Sequence, residues 1–188
     1  MSDANEVAGA LAVLVGAPAD QHIVERLRDS EPRIRRAFAE LFRGYGLKAE
    51  DVLNEVVRVT SYDGIVTVND IAFYSYCEHH FAPFFGTAAV SYQPGEVITG
   101  LGKLARLVQD VHAPRLQIQE LLTRDVALDI MRVLGARGAH VRTTATHLCM
   151  CSRGPRAETA TTTVEYGVGS LRTGWRATAG LRADSSVS

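Results

Sequence analysis

Lysine is almost absent from this sequence: only Lys48 and Lys103 occur among 188 residues, and arginine carries the rest of the positive charge. With 20 basic against 21 acidic side chains the formal charge is −1, which removes any general electrostatic pull toward nucleic acid or an anionic membrane. Any anion must therefore be bound locally. Cysteine is scarce as well. Only Cys77, Cys149 and Cys151 occur, a poor disulfide framework, and thiols lying beside histidines read as a metal-binding set in the reducing cytosol. Long apolar runs are missing: residues 7–15 are too few to span a bilayer and follow an acidic start. Neither a signal peptide nor a membrane helix is expected, and the protein reads as soluble and cytoplasmic. No internal repeat is visible.

What is present is globular, and long enough to bury a core as one domain or as one domain with an N-terminal extension. Residues 5–15 predict a short helix with Val7, Leu11 and Leu14 on one side, closed by Gly16 and Pro18. After Pro32, the residues Ile34, Phe38, Leu41 and Phe42 recur at helical spacing, and Arg33 and Arg36 share the opposite, solvated side. From Glu55 the period changes. Val57, Val59, Ile65, Val66, Val68 and Ile71 surround the turn signal Asp63-Gly64 and predict a hairpin leading into residues 76–80. A strand is expected from Phe84 or Gly86 to Tyr92, then a helix over residues 100–111 that carries Lys103 and Arg106. The longest helical pattern covers residues 116–134, with Ile118, Leu122, Val126, Ile130 and Leu134 spaced four apart. Residues 139–152 alternate as a strand and residues 156–166 read as its return strand, while the tail from Gly167 is expected to be loosely ordered.

Chemistry concentrates in two places. Tyr76-Cys77-Glu78-His79-His80 joins a thiol, a carboxylate and two imidazoles, and Cys77 and His80 can share one zinc ion if the backbone bends near Glu78 and His79. The second cluster is His147-Leu148-Cys149-Met150-Cys151, where strand alternation would put His147, Cys149, Cys151 and Arg153 on one face. Two sites are then open: a three-ligand catalytic site of Cys77, His80 and Cys149 with a position left for water, or a closed Cys3His site that adds Cys151. His79 and His147 remain over in either case, and imidazoles beside a metal-activated water suit proton transfer. At the start of the long helix, Glu120 serves either the helix dipole or a purine, since a carboxylate accepts two parallel hydrogen bonds from guanine. Arg33, Arg36, Lys103, Arg106 and Arg153 stand in separate elements and could surround a polyphosphate.

Several runs occur in a shared order: Asp70-Ile71-Ala72-Phe73-Tyr74-Ser75-Tyr76-Cys77-Glu78-His79-His80, Gly100-Leu101-Gly102-Lys103-Leu104-Ala105-Arg106, Gln117-Ile118-Gln119-Glu120-Leu121-Leu122-Thr123, His147-Leu148-Cys149-Met150 and Arg153-Gly154. In order and approximate spacing this chain resembles GTP cyclohydrolase I over roughly residues 30–165. The resemblance implies zinc on Cys77, His80 and Cys149, proton transfer by His79 and His147, and guanine reading by Glu120 with Gln119 beside it. Arg33, Arg36, Lys103, Arg106 and Arg153 match positions that hold the triphosphate of GTP. The implied reaction opens the imidazole ring at C8, releases formate and yields 7,8-dihydroneopterin triphosphate, a pterin precursor, without a redox cofactor. The implied fold is α+β, the tunnelling fold, an antiparallel sheet backed by helices. An N-terminal helical extension would cover residues 1–54, the catalytic domain residues 55–166 and a flexible tail residues 167–188. Such subunits form pentameric barrels, two of which stack as a decamer with active sites at subunit interfaces. This chain departs from the family pattern at Gly102, where a serine is usual, at Leu121, where an arginine is usual, and by the extra thiol of Cys151. Two alternatives are a paralogue that stops at a ring-opened formamidopyrimidine nucleotide and a non-catalytic domain with a structural Cys3His zinc site.

Overall fold

A computed structural model describes residues 4–17, 20–59 and 61–172. The expectation for the end of the tail, and for Pro18 as a helix stop, lies outside the described residues. By contacts the chain divides into two compact units, Met1–Phe42 and Arg43–Ser188. No helix among the described residues is long and apolar enough to cross a membrane.

The first unit is a pair of helices, α1 (Ala4–Leu14) and α2 (Gln21–Leu41). In α1 the buried positions are Ala8 and Ala12, whose small side chains let a helix approach closely, whereas Leu14 of the expected stripe is 80% exposed. Helix α2 starts well before the expected point and runs through Pro32. Asp20 caps it, accepting a hydrogen bond from the Ile23 amide at 3.1 Å. A proline inside a helix forfeits one backbone bond and kinks the turn before it, but the helix can continue when its start is capped and its other turns are intact.

In the second unit, five strands lie in the order β5-β2-β3-β6-β7. Strands β2 (Val66–Cys77), β3 (Ala82–Gln93), β6 (Gly138–His147) and β7 (Thr162–Gly169) are antiparallel, and the short β5 (Leu116–Gln117) runs parallel against Tyr76 and Cys77. A separate ribbon pairs β1 (Val56–Arg58) with β4 (Val97–Thr99). The hairpin expected around Asp63-Gly64 is thus corrected: β1 pairs with β4, not with β2. The Asp63 loop is instead held by Arg137, which donates to the Asp63 carboxylate and the Tyr62 carbonyl, each at 2.8 Å. β-Branched composition marks a strand but does not choose its partner. The true hairpin is β2–β3, and its turn spans residues 78–81.

One face of the sheet, with Ile71, Phe73, Phe84, Val90, Tyr92 and Val141, packs on helix α4 (Leu101–Arg106), the π-helical turn Leu107–His112 and helix α5 (Gln119–Leu134). Leu122, Val126, Ile130 and Leu134 of α5 are buried, and each contributes about 1.5–3 kcal/mol relative to an exposed side chain. The helix begins at Gln119, later than expected, because Leu116 and Gln117 are drawn into the sheet as β5 and Ile118 is extended. Gly135, at φ +58°, ends it in the left-handed conformation that suits glycine. Gly86 is required for a different reason: a Cβ there would sit 1.9 Å from the Thr144 carbonyl oxygen of β6.

The strand expected over residues 139–152 stops at His147. Leu148–Cys151 form one helical turn, α6. Two residues apart on a helix are rotated by about 200°, so His147, Cys149, Cys151 and Arg153 do not share a face.

Candidate active site

The end of β2 is fixed from the neighbouring β5. Gln117 is buried, its Nε2 donates to the Ser75 Oγ at 3.1 Å and to the His112 carbonyl at 2.5 Å, and its own carbonyl accepts from the Glu78 amide at 3.1 Å. This clamps the chain where β2 turns over, and the turn is completed by Phe81 at φ +53°. The turn supplies the bend that a metal shared by Cys77 and His80 requires. From the other side, β6 pairs with β3 so that His147 lies opposite Phe84, and α6 then carries Cys149 back over the turn.

The ligand atoms of Cys77, His80 and Cys149 all lie within 4.8 Å of one another. Cys77 is buried, Cys149 half-buried and His80 exposed. Two thiols and an imidazole form the soft and borderline donor set that zinc favours, so these three residues could hold such an ion. Cys151 does not join them. Its thiol donates to the Ala157 carbonyl at 3.4 Å, as its place on a helical turn dictates. His79 Nδ1 stands 3.6 Å from the Cys77 sulfur.

Around this group is a cavity of about 220 Å³ lined by Cys77, His79, His80, Gln119, Glu120, His147 and Cys149, with Ile118, Met150 and Thr162 completing its wall. Seven residues singled out from the sequence therefore meet in one place. Burial pushes the His147 imidazole below its usual pKa, opposed by the charge of Glu120. Burial and the adjacent Cys77 push the Cys149 thiol up.

Glu120 is exposed, but Gln119 is only 2% exposed. The Gln119 Nε2 reaches the Thr143 carbonyl at 3.2 Å, the Thr143 hydroxyl at 2.9 Å and the Thr162 carbonyl at 3.1 Å, while its Oε1 lies 2.8 Å from His147 Nε2. The His147 ring stacks on Phe84, with centroids 4.6 Å apart and planes 1° from parallel. Sequence reasoning missed Thr143, Thr162 and Phe84. The threonine-rich runs at residues 143–146, just before His147, and 161–163 are the signal that was available.

The cations expected at a polyphosphate are placed differently. Among the described residues, neither Lys103 nor Arg106 on α4, nor Arg153 after α6, lines this cavity. Lys103 is paired with Glu55 and bonded to Asn54, both at 3.2 Å. Arg33 and Arg36 belong to α2 in the first unit, where Arg33 donates to the Ser30 hydroxyl at 3.2 Å.

A family model for GTP cyclohydrolase I matches residues 8–182. GTP cyclohydrolase 1 of Sinorhizobium fredii is 40% identical over 169 residues, which cover 89% of this chain and 82% of that protein. GTP cyclohydrolase 1 of Pelagibacter ubique is 44% identical over 149 residues, covering 79% and 73%. A crystal structure of an archaeosine synthase QueF-like protein in the apo form superposes with a TM-score of 0.47 at 13% identity, over 58% of this chain and 97% of that one. With a match along nearly its whole length and a cysteine and histidine constellation gathered by the β2–β3 turn, the chain belongs to the GTP cyclohydrolase I family.

Proposed function

We propose that this protein is a zinc-dependent GTP cyclohydrolase I that converts GTP to 7,8-dihydroneopterin triphosphate and formate in the cytoplasm. The observation that carries the reading is the convergence of Cys77, His80 and Cys149 within 4.8 Å in a cavity that also holds His79, His147 and Glu120. When bound there, zinc supplies the Lewis acidity that makes water a nucleophile near neutral pH. Glu120 accepts the paired N–H groups of guanine and would set C8 toward the end of the cavity lined by Cys77, His80 and Cys149, the residues that would hold the ion. His79 and His147 take up and return protons as water adds at C8 and the ring opens, as a second water cleaves the resulting formamide so that formate leaves, and as the rearranged ribose closes the new ring with loss of one water. Arg33, Arg36, Lys103, Arg106 and Arg153 hold the triphosphate, for which Lys103 must exchange Glu55 for phosphate oxygen.

A cavity of about 220 Å³ is smaller than the roughly 300–1,000 Å³ of typical ligand pockets, and none of the expected phosphate cations lines it. Both features support a site completed by neighbouring subunits. Strand β7 lies at one end of the sheet, and at the other β5 covers only Tyr76 and Cys77 of β2. Edges of this kind are closed by pairing with further copies, as in a pentameric barrel and a decamer of two barrels.

Gly102 and Leu121 favour a second reading. A Cβ at Gly102 would meet nothing within 4 Å, so packing does not demand the glycine, and the change bears on the phosphate side. A paralogue with the same ring-opening chemistry would stop at a formamidopyrimidine nucleotide. Incubation of the zinc-loaded protein with GTP, with products identified by mass, separates the two. Dihydroneopterin triphosphate with formate is the expected result, and accumulated ring-opened nucleotide selects the paralogue. Absence of any turnover by the zinc-loaded protein rejects both.

A further inference from the structure

We infer that Gln119 is a positioning residue that fixes the tautomer and ring orientation of His147, and that guanine is read by Glu120 without the Gln119 side chain. The inference takes from the proposed function only the meaning of His147; its hydrogen-bond assignment stands on geometry. The Thr143 and Thr162 carbonyls can only accept, and both lie within hydrogen-bond reach of the same end of the Gln119 amide, at 3.2 and 3.1 Å. That end is therefore the NH2 group, and the atom facing His147 is the oxygen. An amide oxygen can only accept, so at 2.8 Å His147 Nε2 must carry a proton and donate it. In the neutral imidazole, Nδ1 is then the basic nitrogen.

The surrounding hydroxyls agree with this assignment. Thr123 gives its one proton to the Gln119 carbonyl at 2.7 Å, so its oxygen must accept from Thr143 at 2.7 Å. Having donated, the Thr143 hydroxyl oxygen accepts from Gln119 Nε2 at 2.9 Å. Gln119, Thr123 and Thr143 are all buried, so every member of the chain has its direction set by protein partners. Phe84 stacked at 4.6 Å stops the ring from turning away. A glutamine so engaged has no donor left for a base, whereas the adjacent Glu120 is exposed and faces the cavity.

The first test needs no substitution and no substrate. Nitrogen-15 NMR of histidine-labelled, zinc-loaded protein should show neutral His147 as the Nε2-protonated tautomer; an Nδ1-protonated His147 overturns the inference. The second test is kinetic. Gln119→Met keeps shape and removes the amide, and it should lower kcat by about 10–100-fold, the usual cost of removing a group that orients a functional imidazole. Its KM and its preference for GTP over ITP, which lacks the exocyclic amine, should stay as in the wild type, whereas Glu120→Ala should lose that preference. Loss of the GTP preference in Gln119→Met with kcat maintained places Gln119 at the base and overturns the inference. If the wild type does not turn over GTP, the proposed reaction fails and the tautomer still decides the role of Gln119.

Discussion

His147 and Cys149 are two positions apart but are held by different means. The histidine ends a strand and is fixed by Gln119 and Phe84, while the cysteine sits on a helical turn and meets Cys77 and His80. Cys151, two positions further, is turned to the Ala157 carbonyl instead. Cys151→Ser should therefore keep both bound zinc and the thermal melt of the wild type, while Cys149→Ala should lose tight zinc binding; metal content after dialysis measures both. Zinc loss and unfolding in Cys151→Ser would establish the closed four-ligand site. Glu120→Ala should bind zinc normally yet no longer prefer GTP to other purine nucleoside triphosphates, and an unchanged preference rejects its assignment to guanine. The candidate metal set of Cys77, His80 and Cys149 could be proposed from the sequence because thiols and imidazoles at such spacing have few other uses. The direction of Cys151 was not, because it depends on a strand ending at His147.

Among the elements, the tie between the π-helical turn and α5 carries a titratable joint. His112 is buried in that turn, and its Nε2 lies 3.0 Å from Asp129 Oδ2 on α5, with Arg132 bound to the other oxygen at 2.6 Å. Arg132 also pairs with Glu50 of the short helix α3 (Ala49–Val52), which ties α3 to α5. Burial alone would raise the Asp129 carboxyl, but the bonds from His112 and Arg132 outweigh it and the net shift is downward. A carboxyl lowered on folding contributes stability that is complete above its unfolded pKa of about 3.9 and is lost as pH falls through the folded value. Asp129→Asn should thus cost about 1–3 kcal/mol at pH 7 and flatten the acid limb of the stability curve below about pH 4, as measured by urea denaturation. An equal loss at every pH would show that the carboxylate charge is not what matters. Neither this joint nor the β1–β4 pairing was readable in advance. Residues 112 and 129, like residues 57 and 98, are brought together by the packing of other elements.

Across the whole molecule, the proposed reaction and the open sheet make the same demand. A single chain gathers Cys77, His80, Cys149 and Glu120 around one cavity, but Lys103, Arg106 and Arg153 do not line it, and among the described residues β7 has a strand partner on one side only while β5 covers just the end of β2. Light scattering of the active protein should give a large multiple of the 20.4 kDa chain, and dilution to the monomer should abolish turnover. Full activity in a monomer would reject the shared site. By itself the sequence determined which side chains are capable of the proposed chemistry, because ligand softness, charge and hydrogen-bonding capacity are properties of side chains. It also determined that α5 exists, because a four-residue apolar stripe can be buried only as a helix. The tertiary structure alone decided that Pro32 lies within a helix, that the turn at residues 78–81 brings Cys77 and His80 together, and that Gln119 faces His147. The last two depend on partners distant in sequence. For the turn the partner is the Gln117 clamp; for Gln119 it is two backbone carbonyls, at Thr143 and Thr162, that any residue type could have supplied.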